Sequence, residues 1–277
     1  MAGRMEGKVV FITGAARGQG RSHALRLAEE GADIIAVDIC EPIPGVTEYE
    51  GSTPDDLDET VKQVEALDRR IVAEQGDVRD PDRLKQVVDR GVAELGGRLD
   101  GIVANAGIDI FNHWHAFSQD DWQTTIDINL TGVWNTVRAA APVMIDAGNG
   151  GSIVLISSAN GIKPGPFNAP YNAAKFGVTA LGKSFAQEMS RDGVRVNTIH
   201  PGPVDTHMAQ GVDRIVELES ENPGLLAMLN GFPRGDADGI SLMSPREISN
   251  AVLYLLSDES TWTTGLPMAV DGGMSAT

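Results

Sequence analysis

Cysteine is almost missing from this sequence, because Cys40 is the single cysteine among 277 residues. One thiol cannot form an intramolecular disulfide, and it is too little for a cysteine-based metal site. Long apolar runs are missing too: none approaches the roughly 18 residues of a membrane-spanning helix, and residues 1–8 lack the apolar core of a signal peptide. We therefore expect a cytoplasmic protein with no metal site and no membrane partner.

Basic residues are also scarce. The chain has 22 Lys and Arg against 39 Asp and Glu, a formal net charge of −17. Such a charge repels phosphate backbones and anionic lipid surfaces, which argues against a nucleic-acid partner. The length and the 42% hydrophobic composition suit one large α/β domain spanning residues 1–277.

Strand-like and helix-like segments alternate along the chain. Residues 9–12 and 34–37 are short apolar runs typical of buried strands, and residues 22–30 between them have helical spacing. Later strands are predicted at 101–104, 152–156, 194–199 and 267–270, and later helices near 56–73, 82–95, 120–144, 171–190 and 245–256. This alternation predicts a doubly wound parallel sheet flanked by helices.

Two segments interrupt the alternation, since αβ connections usually take about 2–6 residues. Residues 39–54 form an insertion rich in proline, glycine and acid. Residues 206–244 carry apolar side chains that could adapt to an irregular apolar ligand: Met208, Met228, Phe232 and Met243. We interpret the second segment as a substrate lid.

A glycine-rich turn lies between the first strand and the first helix. Gly14, Gly18 and Gly20 would let the backbone approach a pyrophosphate at the helix N-terminus, although the same pattern also fits a turn without a ligand. Asp38 ends the second strand, where a carboxylate can bind the ribose hydroxyls and repel a 2′-phosphate. Asp38 therefore favours NAD over NADP, whereas Arg17 in the turn favours the phosphate unless it swings into solvent.

Tyr171 and Lys175 are spaced i, i+4 at the start of a predicted helix, so that the ammonium can lie over the phenol. The positive charge would favour the phenolate and make Tyr171 an acid or base. Such a pair also occurs by chance on solvated helix faces. Ser158 follows a strand and could hold the same substrate oxygen, or it could simply cap a turn, as could Ser157.

Asn129 is an unusual residue inside a predicted helix. It could anchor a water chain that returns protons through Lys175, or it could bond a neighbouring backbone group.

The order of these motifs resembles the short-chain dehydrogenase/reductase family over nearly the whole chain. The matching motifs are Thr13-Gly14-x-x-x-Gly18-x-Gly20, Asp77, Ala104-Asn105-Ala106-Gly107, Asn129, Ser158, Tyr171-x-x-x-Lys175 and Pro201-Gly202. Ala104 departs from a second Asn that many members carry. The resemblance implies a Rossmann fold and NAD-dependent hydride transfer between a secondary alcohol and a ketone. It also implies a catalytic tetrad of Asn129, Ser158, Tyr171 and Lys175.

The same resemblance implies a set of cofactor contacts. They are Gly14, Arg17, Gly18, Gln19, Gly20, Asp38, Ile39, Asp77, Val78, Asn105, Ala106, Gly107, Tyr171, Lys175, Pro201, Gly202, Val204 and Thr206. In the family, the two long helices form a dimer interface and the last strand helps to build a tetramer. A homotetramer is therefore implied.

The chain also resembles a narrower group, the carveol dehydrogenase-like members associated with the redox cofactor mycofactocin. The similar parts are the stretches Gly14–His23 and Val37–Cys40 and the insertion. This resemblance implies a terpenoid or other apolar secondary alcohol, firmly held NAD and an external redox acceptor. Ile43, Val46 and Tyr49 could then close the insertion over the adenosine end.

Three aromatic side chains, His113, Trp114 and His115, follow the fourth predicted strand, where open α/β sheets bind ligands. They could contact substrate or form a packed loop, and a zinc site is disfavoured because no third ligand is evident. His200 is expected to be structural.

The rival functions are a catalytically silent NAD-binding module, which the intact tetrad disfavours, and an epimerase or methyltransferase on a similar fold.

Overall fold

The computed structural model describes residues 3–221, 223–225 and 242–276. The strands are β1 Val9–Thr13, β2 Asp33–Asp38, β3 Ile71–Gln75, β4 Gly101–Ala104, β5 Gly151–Ile156, β6 Val194–Pro201 and β7 Pro267–Val270. The helices are α1 Gly18–Ala28, α2 Pro54–Glu65, α3 Pro81–Leu95, α4 Gln119–Ile126, α5 Gly132–Ala147, α6 Ala169–Glu188, α7 Val212–Glu221 and α8 Pro245–Leu256. Within these residues, no helix has both the length and the apolar character needed to cross a membrane.

The strands form one parallel sheet in the order β3-β2-β1-β4-β5-β6-β7, which confirms the predicted doubly wound fold. Phe11 of β1 pairs with Ile35 on one side and Ile102 on the other. All three side chains are fully buried, because helices cover both faces. The strand order reverses between β1 and β4, so a crevice opens beyond their carboxyl ends.

Local sequence explains where several helices begin. Thr53 accepts a hydrogen bond from the backbone of Asp56 and forms a capping box with it, and Pro54 occupies the first turn of α2. Ser118 and Asp121 form the same device at α4. The predicted helix over 120–144 consists of α4, a π-helical turn at Asp127–Thr131 and α5.

The predicted helix over 56–73 is wrong in its last part. Helix α2 ends at Glu65, Asp68 adopts a left-handed φ of 57°, and Ile71 begins β3. A left-handed residue interrupts helical hydrogen bonding. Strand β3 lies at the sheet edge and is only partly buried, so its sequence lacks the continuous apolar run that marks an inner strand.

Candidate active site

A cavity of about 620 Å³ opens beyond the carboxyl ends of β1, β2 and β4. Most of the predicted cofactor contacts line it: Gly14, Arg17, Gly18, Gln19, Asp38, Ile39, Asp77, Val78, Asn105, Ala106, Gly107 and Thr206. Gly20, Tyr171, Lys175, Pro201, Gly202 and Val204 do not line this cavity. The tertiary structure thus brings together residues that lie far apart along the chain.

The glycine-rich turn has room for backbone only. A Cβ on Gly14, whose φ is +68°, would lie 2.8 Å from Cα of Ala106, and one on Gly20 would lie 1.9 Å from the Gly14 carbonyl oxygen. Asn105 donates to the carbonyl oxygens of Thr13 and Gly14 at 3.0 and 3.2 Å, which holds the turn against β4. The turn therefore presents a close backbone surface at the start of α1, suited to a pyrophosphate.

Asp38 is buried and is already a hydrogen-bond acceptor within the protein. Its carboxylate accepts from the backbone N–H groups of Ala16 at 2.9 Å and Cys40 at 3.1 Å. It also accepts from the Ser52 hydroxyl at 2.6 Å. A carboxylate has about four lone-pair sites, so Asp38 keeps capacity for one further donor such as a ribose hydroxyl.

Arg17 is partly buried and does not extend fully into solvent, the alternative that the sequence left open. Its guanidinium donates to the backbone carbonyl of Glu50, inside the insertion. Arg17 thus connects the glycine-rich turn to the insertion through one of its five N–H groups.

The insertion covers one side of the cavity. Its residues 39–43, 46 and 49–53 line the cavity, and Ile43 and Val46 also pack against the main hydrophobic core. At its far end the hydroxyl of Tyr49 accepts a hydrogen bond from the backbone N–H of Asp109 at 3.1 Å. The insertion is therefore attached both to the glycine-rich turn and to the loop after β4.

Lys175 and Asn129 meet at the loop after β4. A Cβ on Gly107, which lines the cavity, would lie 2.7 Å from Oδ1 of Asn129 and 3.5 Å from Nζ of Lys175. Lys175 donates to the carbonyl oxygen of Ile156 at 3.0 Å, and its Nζ lies 5.4 Å from the ring centre of Tyr171. The predicted i, i+4 pair is thus buried beside the cavity rather than exposed on a helix face.

Asn129 bonds neighbouring backbone groups, as its alternative interpretation anticipated. Its amide nitrogen donates to the carbonyl oxygens of Ile108 and Thr125, both at 3.0 Å, and its Oδ1 accepts from the Ile108 N–H at 3.1 Å. The π-helical turn places this side chain against the loop after β4. Oδ1 has a second lone pair for a water molecule.

Ser158 lies two residues after β5, and its hydroxyl accepts a hydrogen bond from the backbone N–H of Asn160 at 3.1 Å, so it does cap a short turn. Its carbonyl oxygen only accepts, so Nδ1 of His200 donates to it at 2.8 Å, and Nε2 accepts from the Thr198 hydroxyl at 2.8 Å. Burial lowers the pKa of His200, which agrees with a neutral ring. His200 therefore orients the backbone of Ser158.

Burial dominates the protonation of Tyr171 and Lys175. It raises the pKa of the Tyr171 phenol, with a contribution from Asp109, while hydrogen bonding with Ser158 opposes the rise. It lowers the pKa of the Lys175 ammonium to about 8, against the attraction of Asp109. Both groups are therefore pushed towards neutrality, and a phenolate at Tyr171 needs additional positive charge nearby.

The loops near Tyr171 and Lys175 enclose apolar surface. Phe111, Phe167 and Leu218 form a small buried cluster that joins the loop after β4 to α7. His113 pairs with Glu221 at 2.8 Å, whereas Trp114 is 81% exposed. Met208 lines the cavity and Met243 packs on the core, while Met228 and Phe232 of the predicted lid lie outside the described residues.

Sequence reasoning missed two residues of this region, Asp109 and Asn168. Asp109 is buried, and its Oδ2 accepts from the Asn168 amide at 3.1 Å. The available signal was an acid between Ile108 and Ile110, in an otherwise apolar stretch directly after a strand.

Comparisons with known proteins agree with this geometry. The model of the family described as short chain dehydrogenase matches residues 8–215. A crystal structure of a short chain dehydrogenase from Mycobacterium paratuberculosis bound to NAD is 49% identical, with a TM-score of 0.94 over 99% of this chain and 100% of the other.

Two carveol dehydrogenases are also similar. The crystal structure of the Mycobacterium avium enzyme in complex with NAD is 48% identical, with a TM-score of 0.89 over 99% of this chain and 100% of the other. The (−)-trans-carveol dehydrogenase of Rhodococcus erythropolis is 44% identical over 98% of both chains. The predicted resemblance to the family and to carveol dehydrogenases is confirmed.

Proposed function

We propose a specific reaction for this chain, which belongs to the short-chain dehydrogenase family and is an NAD-dependent oxidoreductase: it interconverts a bulky, apolar secondary alcohol and its ketone. The observation that carries the proposal is the burial of Tyr171 and Lys175 together, with Nζ of Lys175 beside Gly107, which lines the cavity. A solvated helix face would leave both side chains exposed.

Tyr171 is the proposed acid and base. When the alcohol is oxidised, the proton of its hydroxyl passes to the Tyr171 oxygen, and the hydride leaves the carbon as the C=O bond forms. Bound NAD⁺ would supply the hydride acceptor and the positive charge that favours the phenolate. Ser158 holds the substrate oxygen, Lys175 stabilises the phenolate, and Asn129 anchors a water molecule that returns protons through Lys175.

The cavity suits NAD more than NADP. Gly14 and Gly20 form a cradle that a Cβ would fill, which matches close approach of a pyrophosphate. Asp38 accepts hydrogen bonds at the end of β2, so a 2′-phosphate placed there would meet a buried carboxylate. The two similar NAD complexes support this assignment.

The substrate is proposed to be apolar and terpenoid-like. Support comes from the cluster of Phe111, Phe167 and Leu218 under α7, from Met208 and from similarity to carveol dehydrogenases. Apolar walls favour the burial of apolar substrate surface, and they leave the polar groups of charged or sugar substrates without hydrogen-bond partners.

We further propose that residues 39–54 act as a lid that slows release of NAD. A cofactor that stays bound must be reoxidised in place, which requires an external redox acceptor, and mycofactocin is the candidate by resemblance.

The enzyme is proposed to be a homotetramer. Trp122, Trp134 and Phe176 on α4, α5 and α6 are 42–43% exposed, which supports an interface on these helices.

Replacement of Tyr171 by Phe tests the proposed reaction. Turnover of an active alcohol should fall about 10²–10⁴-fold, because the acid–base hydroxyl is lost, while NAD binding and thermal stability should change little. Tyr254→Phe is the matched control, since Tyr254 lies on α8. More than about a tenth of the original rate in Tyr171→Phe would reject the role, and NAD binding without turnover of any alcohol would favour the silent module.

A further inference from the structure

Asp109 is a buried acid that the proposed reaction does not use. It follows β4 and is 5% exposed. Its backbone N–H donates to Tyr49 of the insertion at 3.1 Å, and its Oδ2 accepts from Asn168, the residue before α6, at 3.1 Å. Among the described residues, its other oxygen, Oδ1, is buried with no hydrogen-bond partner. When a buried carboxyl oxygen has no hydrogen-bond partner, the ionised form of the group depends on nearby positive charge for its stability.

The loop that carries Asp109 is held against the catalytic group. Gly107 lies beside Nζ of Lys175, and both backbone groups of Ile108 bond to Asn129. These contacts leave the Asp109 side chain in the same buried region as the Lys175 ammonium. Its orientation is thus set by three elements: the loop after β4, the insertion and the start of α6.

Among the described residues, four titratable groups interact electrostatically with Asp109. Tyr171 and Lys175 approach from α6, and Glu48 and Tyr49 approach from the insertion. Burial, and to a lesser extent Glu48, raise the pKa of the Asp109 carboxyl well above its ordinary value, although Asn168 and Lys175 oppose the rise. Asp109 in turn raises the pKa of Tyr171 and of Lys175. Asp109 and Tyr171 are therefore two acids close to one ammonium: Lys175 favours the Asp109 carboxylate, and its Nζ lies 5.4 Å from the ring centre of Tyr171.

Hydrogen bonds also connect Asp109 to Ser158. Asn168, which donates to Asp109, accepts from the Asn160 amide at 3.4 Å, and the Asn160 backbone donates to the Ser158 hydroxyl at 3.1 Å. A change at Asp109 can therefore reach the side chain proposed to hold the substrate oxygen.

We propose that Asp109 is a positioning residue of the active site, a second acid that shares the Lys175 ammonium with Tyr171 and so sets the pH range in which Tyr171 accepts a proton. The proposal rests on the proposed function of Tyr171 as the base. At a pH where Asp109 is ionised, its negative charge opposes the Tyr171 phenolate, so neutralising Asp109 must move tyrosinate formation to lower pH.

Asp109→Asn removes the charge and keeps the size of the side chain. Tyrosinate formation is followed by ultraviolet difference absorbance in the NAD-bound enzyme, which has only three tyrosines, and Tyr171→Phe assigns the signal. We expect the Tyr171 midpoint to fall by about one pH unit, so that about tenfold more tyrosinate is present below the midpoint. The pH profile of kcat for alcohol oxidation should shift equally, with a smaller change in KM.

Asp120→Asn is the matched control, because it removes an exposed carboxylate in the first turn of α4, where water screens the charge. Its midpoint should stay in place. If Asp109→Asn fails to fold, Asn168→Ala gives a second test: loss of the amide donor disfavours the Asp109 carboxylate, so the Tyr171 midpoint should again fall. Asn168 makes no side-chain cap to α6, so this change leaves the helix start intact.

A Tyr171 midpoint in the folded variants equal to that of the unchanged protein would overturn the proposal. The absorbance titration does not require turnover. An inactive enzyme with a shifted midpoint would therefore reject the proposed reaction and keep the role of Asp109, whereas an active enzyme with an unshifted midpoint would do the reverse.

Discussion

Ser52 provides the sharpest test of the proposed lid. Its hydroxyl donates to Oδ1 of Asp38 at 2.6 Å in a buried setting, and it attaches the insertion to the end of β2. Ser52→Ala deletes this donor without changing the backbone. Asp38 keeps its bonds to Ala16 and Cys40, so the glycine-rich turn should remain in place.

The size of the effect follows from the chemistry of that bond. A hydrogen bond to a charged group contributes about 1.5–3 kcal/mol, and each 1.4 kcal/mol is about a factor of ten in an equilibrium. Opening of the insertion should therefore become roughly 10- to 100-fold more frequent. Dissociation of NAD should accelerate by a similar factor, while association changes less.

The assay is exchange of bound NAD for labelled NAD, after purification without added cofactor. Thr47→Ala is the control, because Thr47 is an exposed hydroxyl residue of the same insertion. Equal exchange rates in Ser52→Ala and the unchanged protein would show that Ser52 does not hold the insertion closed. Exchange within the time of one turnover in the unchanged protein would refute the lid itself.

Three further outcomes are expected. Asp38→Ala should narrow the preference for NAD over NADP, because Arg17 can then pair with the 2′-phosphate. Titration of both cofactors measures the two affinities, and equal affinities in the unchanged protein would show that Arg17 governs the site. Lys175→Met should abolish turnover yet raise the free energy of unfolding by about 2 kcal/mol at pH 7. Removing the buried ammonium relieves a desolvation cost of about 3 kcal/mol, and losing the hydrogen bond to Ile156 costs about 1 kcal/mol. Since burial lowers the Lys175 pKa from 10.5 to about 8, the penalty is full below pH 8 and vanishes as the pH rises to 10.5. Thermal unfolding at both ends of this range checks the gain, and an unchanged midpoint at pH 7 would contradict it. An alcohol panel should favour bulky apolar secondary alcohols, and selective turnover of small acidic or sugar substrates would overturn that assignment.

The order of strands and helices was largely readable from the sequence. Inner strands such as Ile153–Leu155 are apolar on both faces, so a short run of side chains identifies them without knowledge of the rest of the chain. Strand β3 was not readable, because its side chains are mixed, with Glu74 and Gln75 following three apolar residues. Its identity depends on pairing of Ile71 with Ile34, a contact distant in sequence.

The candidate site divides in the same way. The glycine-rich turn, Asp38 and the Tyr171–Lys175 spacing are local patterns whose chemistry can be read from neighbouring residues. The partners of Arg17 and Asn129, and the burial of Asp109, were decided only by the tertiary structure. A charged or amide group must find a partner once it is buried, and which groups are buried together depends on how the insertion, the loop after β4 and α6 pack.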